Sequence, residues 1–279
     1  MNANNKNEYT IRQFPRTRIA TLDVMEQGRK KHHIKAMLEF DVTDSRAAIK
    51  EFRRQTGEKL SFTAWLIKTI SATIKEFQEA HAFLLTKRKS IVFDDIDFSI
   101  TVERIYDGQP VPLPYVIRRS DKKSFRTIHQ EIQTVKTQDL AKEDIVLGKK
   151  QNRLATDLYY FMPGFLRRLV WRFILTHPQI AKKSMGSVML TSVGMMGRVN
   201  GWFIHTSVHP VSFGVGSVIP KPWVKDGAVT VRDILNMTVL IDHDVMDGAP
   251  MARFFAKLSQ NIESGLGLED YLKPDKITS

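Results

Sequence analysis

"MTVLIDHDVMDGAP", residues 237–250, is the stretch on which the reading of this chain turns. Its apolar half, through Ile241, has the density of a strand buried on both faces, and it ends abruptly in Asp242, His243 and Asp244, then Asp247 and Gly248. A buried strand can deliver a histidine into a cleft. Carboxylates on both sides of it point to a proton that must be moved or a cation that must be held. On the residues alone, His243 is equally a general base or a satisfied core histidine. The helical pattern "GAPMARFFAKLSQNIESG", 248–265, follows at once, with Pro250 near its first turn.

Working outward, "KAMLEFDV" (35–42), "GSVMLTSVG" (186–194), "VSFGVGSVI" (211–219) and "AVTVRDILNMTVLI" (228–241) read as strands. "DSRAAIKEFRRQ" (44–55), "FTAWLIKTISATIKEF" (62–77, with Ser61 as its N-cap) and "KSFRTIHQEIQTV" (123–135) read as helices. "SIVFDDIDFSITVERI" (90–105) is a turn and strand, or a hairpin. "PVPLPYVIRR" (110–119) must be extended, because its prolines forbid a helix. Strands outnumber what a helical bundle allows. The expectation is one mixed domain over 31–270, with an N-terminal arm at 1–30 and a tail at 271–279.

The totals narrow the function classes. With 279 residues and 42% apolar content the chain can bury a sizeable core. No uninterrupted apolar run approaches the ~20 residues of a bilayer span, and the polar start does not resemble a secretory signal. The absence of cysteine excludes disulfides, thiolate metal sites and a Cys nucleophile, and it fits a cytoplasmic setting. A formal charge of +12 asks for a polyanionic partner. Nucleic acid is disfavoured, since no recognisable binding module or aromatic-basic interleaving is found. No phosphate loop or serine nucleophile elbow occurs. "HTSVH" (205–209) spaces two histidines by four but has no clear third ligand, so no metal site is expected.

"DHDVMDGA" resembles the D-H-R-x-x-D-G motif of the dihydrolipoyl acyltransferase catalytic domain of 2-oxo acid dehydrogenase complexes. "KLSFTAWLIKTISATIKEF", "VIRRSDKKSFRTIHQEI", "LTSVGMMG" and "RTRIA" (16–20) resemble other segments of that family, in the family's order. The resemblance implies an α+β fold, a two-layer α/β sandwich of the chloramphenicol acetyltransferase-like kind whose mixed sheet has helices packed on it. It further implies a homotrimer, or a higher assembly of trimers, with active sites between subunits. The implied activity is direct acyl transfer between a coenzyme A thioester and a small-molecule or carrier-bound thiol, hydroxyl or amine. In that reading His243 is the base, and the oxyanion donor is Thr191 or Ser192, of which only one can face the site because neighbours in a strand point opposite ways. Asp247 pairs with Arg16, and Asp242 and Gly248 support the site. Lys122 and Lys123 are candidate contacts for the coenzyme A phosphates. No metal and no covalently attached lipoyl group are expected on this chain.

Two departures from the family pattern stand out. Asp244 occupies the position of the family's arginine, adding an anion beside the base. The segment "TDLYYFMPGFLRRLVWRFILTHP" (156–178) does not resemble the family's usual linker. In it Leu166, Leu169, Val170, Phe173 and Ile174 share one helical face, with Arg167, Arg168, Trp171 and Arg172 opposite. Packing of that apolar face on the core or on another subunit is the favoured expectation. A basic amphipathic helix over 158–176 lying on anionic lipid, or lining an acyl-donor tunnel, is the other. For the whole chain, the alternatives to an enzyme are a catalytically silent scaffold of an acyltransferase complex and a basic membrane-surface or nucleic-acid binder on the same fold.

Overall fold

β7 (Val211–Lys225) and β8 (Ala228–Asp242) form one long antiparallel hairpin in the middle of the protein. Its turn is Asp226–Gly227, with φ of 52° and 80°, the positive dihedrals that let a two-residue turn match the twist of its strands. β7 runs six residues beyond the segment that marks it in the sequence while β8 keeps its expected start, and Val224, Val229 and Val231 at the outer end are exposed. The computed structural model describes residues 9–14, 16, 18–106, 109–137, 158–193 and 199–268; the expected tail at 271–279 and the glycine turn at 194–197 lie outside them.

β1 (His33–Asp41) pairs antiparallel with the far side of β8. On the other side β6 (Val188–Ser192) runs parallel to β7, β4 (Phe98–Tyr106) parallel to β6, and β5 (Gln109–Ile117) antiparallel to β4. The sheet is therefore mixed, in the order β1-β8-β7-β6-β4-β5. Pro110, Pro112 and Pro114 alternate along β5, so every missing N–H falls on the outer side of the edge strand while the intervening amides pair with β4. That edge cannot template a further strand. β2 (Phe83–Thr86) and β3 (Lys89–Ile91) make a separate small hairpin. Gly186 lets β6 start close beside Asp97: at φ 80° it leaves Ser187 and Val188 N–H to donate to the Asp97 carbonyl, which a Cβ at 186 would approach to 2.6 Å.

One face of the sheet carries Phe40, Phe98, Phe213, Val239 and Ile241, and against it lie α3 (Phe62–Glu76), α4 (Phe125–Thr137) and α7 (Gly248–Glu263). α3 starts as its sequence demands, with Ser61 Oγ accepting the Ala64 N–H at 3.3 Å. Trp65, Leu66, Ile67, Ile70 and Ile74 on it are fully buried, each contributing roughly 1.5–3 kcal/mol. α2 (Thr43–Thr56) is polar and lies outside.

Residues expected to form an arm include a helix, α1 (Arg18–Gly28), which packs against α5 (Gly164–Thr176). α5, followed by α6 (Pro178–Met185), does not pack its apolar stripe on the core of its own chain, as one form of the favoured expectation had it. Arg167 and Trp171 face inward: Arg167 Nε donates to the buried Asp23 carboxylate at 2.8 Å, Tyr159 Oη donates to it at 2.6 Å, and Trp171 Nε1 donates to Tyr159 at 3.0 Å. Leu166, Leu169, Val170 and Phe173 are exposed. The reason is electrostatic. Asp23 is removed from water and needs a cation, and only the Arg167 side of the helix can supply one.

The opposite face of the sheet mixes polar side chains with the buried Ile234 and Leu240. Ser212, Asn236, Thr238 and Asp242 are buried there, covered by residues 199–210. His205 Nε2 meets Ser212 Oγ at 2.7 Å, His209 Nε2 donates to the Met185 carbonyl at 3.0 Å, and His33 Nε2 donates to the His209 carbonyl at 2.9 Å. Burial pushes His205 and His209 down to about 4, and the same cause pushes down His81, buried beside Ser187, to about 4. A histidine whose folded pKa lies below its unfolded value of ~6.5 stabilises the fold fully above that value. Its contribution is lost as pH falls toward about 4. The melting temperature should therefore hold from pH 8 to 7 and drop steeply between pH 6.5 and 4.5 in a calorimetric series, and His81→Gln should flatten that drop.

Candidate active site

The end of β8 is held from both sides. Asp242 N–H donates to the Pro210 carbonyl at 2.8 Å, and His243 N–H donates to the His32 carbonyl at 3.0 Å. Asp242 is buried and points to the polar face, where Lys31 Nζ meets it at 2.7 Å. His243 is the next residue and lies at the rim. Its imidazole is exposed and hydrogen-bonds to no group among the described residues. It is not the satisfied core histidine of the alternative reading.

Asp244 turns away from His243, to His32 Nδ1 at 2.9 Å. That hydrogen bond is the main cause of the raised pKa of His32. Lys31 and His32, just before β1, thus answer Asp242 and Asp244. The acid that replaces the family's arginine has its own partner. Asp247 is the N-cap residue of α7 by backbone conformation, its carbonyl accepting the Met251 N–H at 3.1 Å, while its carboxylate stays exposed without a capping bond. Gly248 follows in open space, with nothing within 4 Å of where a Cβ would be.

Thr191 and Ser192 end β6, both half-buried. Ser192 continues the row of Val188 and Leu190 on the helix-covered face, and Thr191 takes the polar face. The register aligns Thr191 with Gly214 and Gly214 with Thr238, so His243 lies five residues further on and two strands across. That is about 17 Å along the strands and about 10 Å across them. One chain does not bring Thr191 and His243 together. The histidine beside Thr191 within the chain is His205, whose Nδ1 would be 2.7 Å from a Cβ on Gly214. The cluster of His33, His205, His209, Ser207 and Ser212 carries no helical or strand periodicity that would single it out, and only the spacing in "HTSVH" hinted at it.

Three expected roles change. The Arg16–Asp247 ion pair is not formed: the Arg16 guanidinium stacks on Phe161, 4.9 Å from the ring centre. Lys122 is paired with Asp95 at 2.8 Å, and Lys123 with Glu131. These lysines brace the turn after β5 against the acids of residues 94–97 and against α4, so their charges are already answered within the fold.

The profile of the 2-oxoacid dehydrogenases acyltransferase (catalytic domain) family matches residues 6–144 and 179–268. Among similar curated proteins, the lipoamide acyltransferase component of the branched-chain alpha-keto acid dehydrogenase complex of Bacillus subtilis is 28% identical over 237 residues, covering 83% of this chain and 47% of that protein. The dihydrolipoyllysine-residue acetyltransferase component of the pyruvate dehydrogenase complex of Staphylococcus aureus is 23% identical over 249 residues, covering 86% and 48%. The chain thus spans about half the length of these relatives. Among solved structures, the probable dihydrolipoamide acetyltransferase of Listeria monocytogenes superposes with a TM-score of 0.62 at 22% identity, covering 94% of this chain and 96% of that one. The dihydrolipoamide acetyltransferase of Azotobacter vinelandii gives 0.66 at 18% identity, covering 96% and 98%. These share the fold.

Lys31→Met leaves the Asp242 carboxylate buried without its cation, and should destabilise the protein by about 3–5 kcal/mol in urea unfolding. Asp244→Asn should cost little stability, because its pair is exposed. It should instead lower the His32 pKa toward the ordinary histidine value, read from the imidazole proton shifts. The stability that this pair contributes is present below ~6.5 and lost as pH rises through the raised value.

Proposed function

Because the chain belongs to the 2-oxoacid dehydrogenase acyltransferase catalytic-domain family, we propose that it transfers an acyl group between coenzyme A and a thiol acceptor, with His243 as general base. We propose further that the site is built from two copies of the chain, as in a trimer. The observation that carries the reading is the His243 imidazole. It is exposed and makes no hydrogen bond among the described residues, while the backbone that carries it is fixed by the bonds of Asp242 to Pro210 and of His243 to His32. A base so placed is free to receive a proton and is still held in position.

The acceptor thiol gives its proton to His243 as its sulfur attacks the thioester carbonyl. The carbonyl oxygen takes the negative charge, and a hydroxyl donated by Thr191 of the second copy stabilises it. The intermediate then collapses with loss of the coenzyme A thiolate, which takes the proton back from the imidazolium. The acyl group moves in one displacement. The distance between Thr191 and His243 within one chain is the reason for the second copy, since a packed sheet cannot close it. The relatives named above act on lipoyl groups, so a dihydrolipoyl thiol on a carrier is the acceptor of choice.

His243→Ala should lower turnover by roughly 10²–10⁴ with little change in acyl-coenzyme A binding. Thr191→Ala should lower it by roughly 10²–10³, while Thr191→Ser should keep most of the rate. When the two inactive variants are dissociated, mixed and reassembled, the mixture should regain activity that neither has alone. No recovery, with each variant folded and oligomeric, would place the site within a single chain. Absence of turnover in the unaltered protein with acetyl, branched-chain and longer acyl donors would favour the silent scaffold.

A further inference from the structure

We propose that α5 and the neighbouring β2–β3 hairpin form a docking surface for anionic lipid, so that this protein works at a membrane surface. The inference is independent of the acyl-transfer chemistry. α5 falls in residues 145–178, the interval between the two stretches matched by the family. It is also a helix of 13 residues with no buried side chain. Its outward face presents Phe165, Leu166, Leu169, Val170 and Phe173, exposed by between 36% and 63%. Five neighbouring apolar side chains on one helix are a patch, not scattered exposure.

The orientation of that face is fixed. Arg167 and Trp171 on the inner side are tied to Asp23 and Tyr159, and Ile174 and Leu175 pack into a small cluster with Phe83 and Met185. The helix cannot roll over to hide its apolar stripe without unpairing the buried Asp23. Arg168 and Arg172 border the stripe one turn apart. Both are exposed, and neither has a carboxylate partner among the described residues. Phe83 roots the hairpin in the same cluster. The hairpin then exposes Leu84 and Leu85 and carries Lys87, Arg88 and Lys89 beside them.

Charge favours a lipid headgroup layer over a protein partner. From residue 158 to residue 225 the chain has no aspartate or glutamate, against eight lysines and arginines. An apolar ridge bordered by arginines inserts at the acyl boundary while the guanidiniums reach phosphates at the headgroup level. Neither the apolar insertion nor the basic border needs to be strong alone, because the two add. α5 lies on the surface in this reading: none of the described helices is long and apolar enough to cross a membrane.

The test is co-sedimentation of the full chain with vesicles of phosphatidylcholine alone or mixed with phosphatidylglycerol, with oligomeric state followed by light scattering. The unaltered protein should pellet with the mixed vesicles, and less so as salt is raised. Leu169→Glu with Phe173→Glu should abolish pelleting while melting temperature and oligomeric state stay unchanged. Arg168→Gln with Arg172→Gln should weaken partitioning by roughly tenfold or more. The proposal is overturned if the unaltered protein ignores anionic vesicles or if the glutamate variant pellets as well as it does. Dissociation of the oligomer by the glutamate variant would overturn it too, since the stripe would then be a contact between copies.

Discussion

The Asp242 carboxylate is withdrawn from water at the end of β8, and its cation comes from Lys31, just before β1 begins. A buried charge without a partner is among the costliest defects a fold can carry. The pair therefore holds β1 and β8 in the register that sets His33 opposite Asp242. A slip of one residue would turn Asp242 into the helix-covered core and bring Ile241 to the polar face. Since β8 lies between β1 and β7, the register also settles where the chain leaves the sheet. His243 is the first residue past that point, and α7 starts at Gly248.

The two faces of the sheet then take different chemistry. Toward α3, α4 and α7 the side chains are apolar and close-packed. On the other face Ser212, Asn236 and Thr238 are buried under residues 199–210, which bring in the buried His209 and the half-buried His205; His205 bonds to Ser212 and His209 to the Met185 carbonyl. His243 lies past the strand end and escapes both environments. Its ring is exposed and unbonded among the described residues, while Asp242 and Asp244 are drawn off to Lys31 and His32. The same rigidity keeps Thr191 on its own strand, two strands away from His243. A sheet that holds its register this firmly can hold the histidine in place, but it cannot fold that ring back onto a hydroxyl some five residues down.

α5 shows the same rule acting on a helix. The apolar stripe of Leu166, Leu169, Val170 and Phe173 would ordinarily choose the inside. The inner side is set instead by Asp23 on α1, whose carboxylate takes Arg167, and by the apolar area of Trp171, Ile174 and Leu175, which pack there. The ring nitrogen of Trp171 finds Tyr159. The result is a helix whose most apolar residues look outward.

What could be read from residues alone is what local patterning controls. Ser61 and the apolar density after it mark α3, and the alternating prolines mark β5 as extended. The motif at 242–248 marks the end of β8, and its likeness to the acyltransferase family carries the mixed sheet with helices packed upon it. The sequence also pointed to His243. It did not reveal that Asp244 is answered by His32, that Arg16 stacks on Phe161, or that Lys122 and Lys123 are spent on Asp95 and Glu131. Those partners are far apart in the chain, and a charge in a sequence does not say which opposite charge will face it. The orientation of α5 and the separation of Thr191 from His243 were likewise decided only in three dimensions. The first depends on a carboxylate more than a hundred residues away, and the second on strand register, which periodicity of two leaves undetermined until β6, β7 and β8 pair.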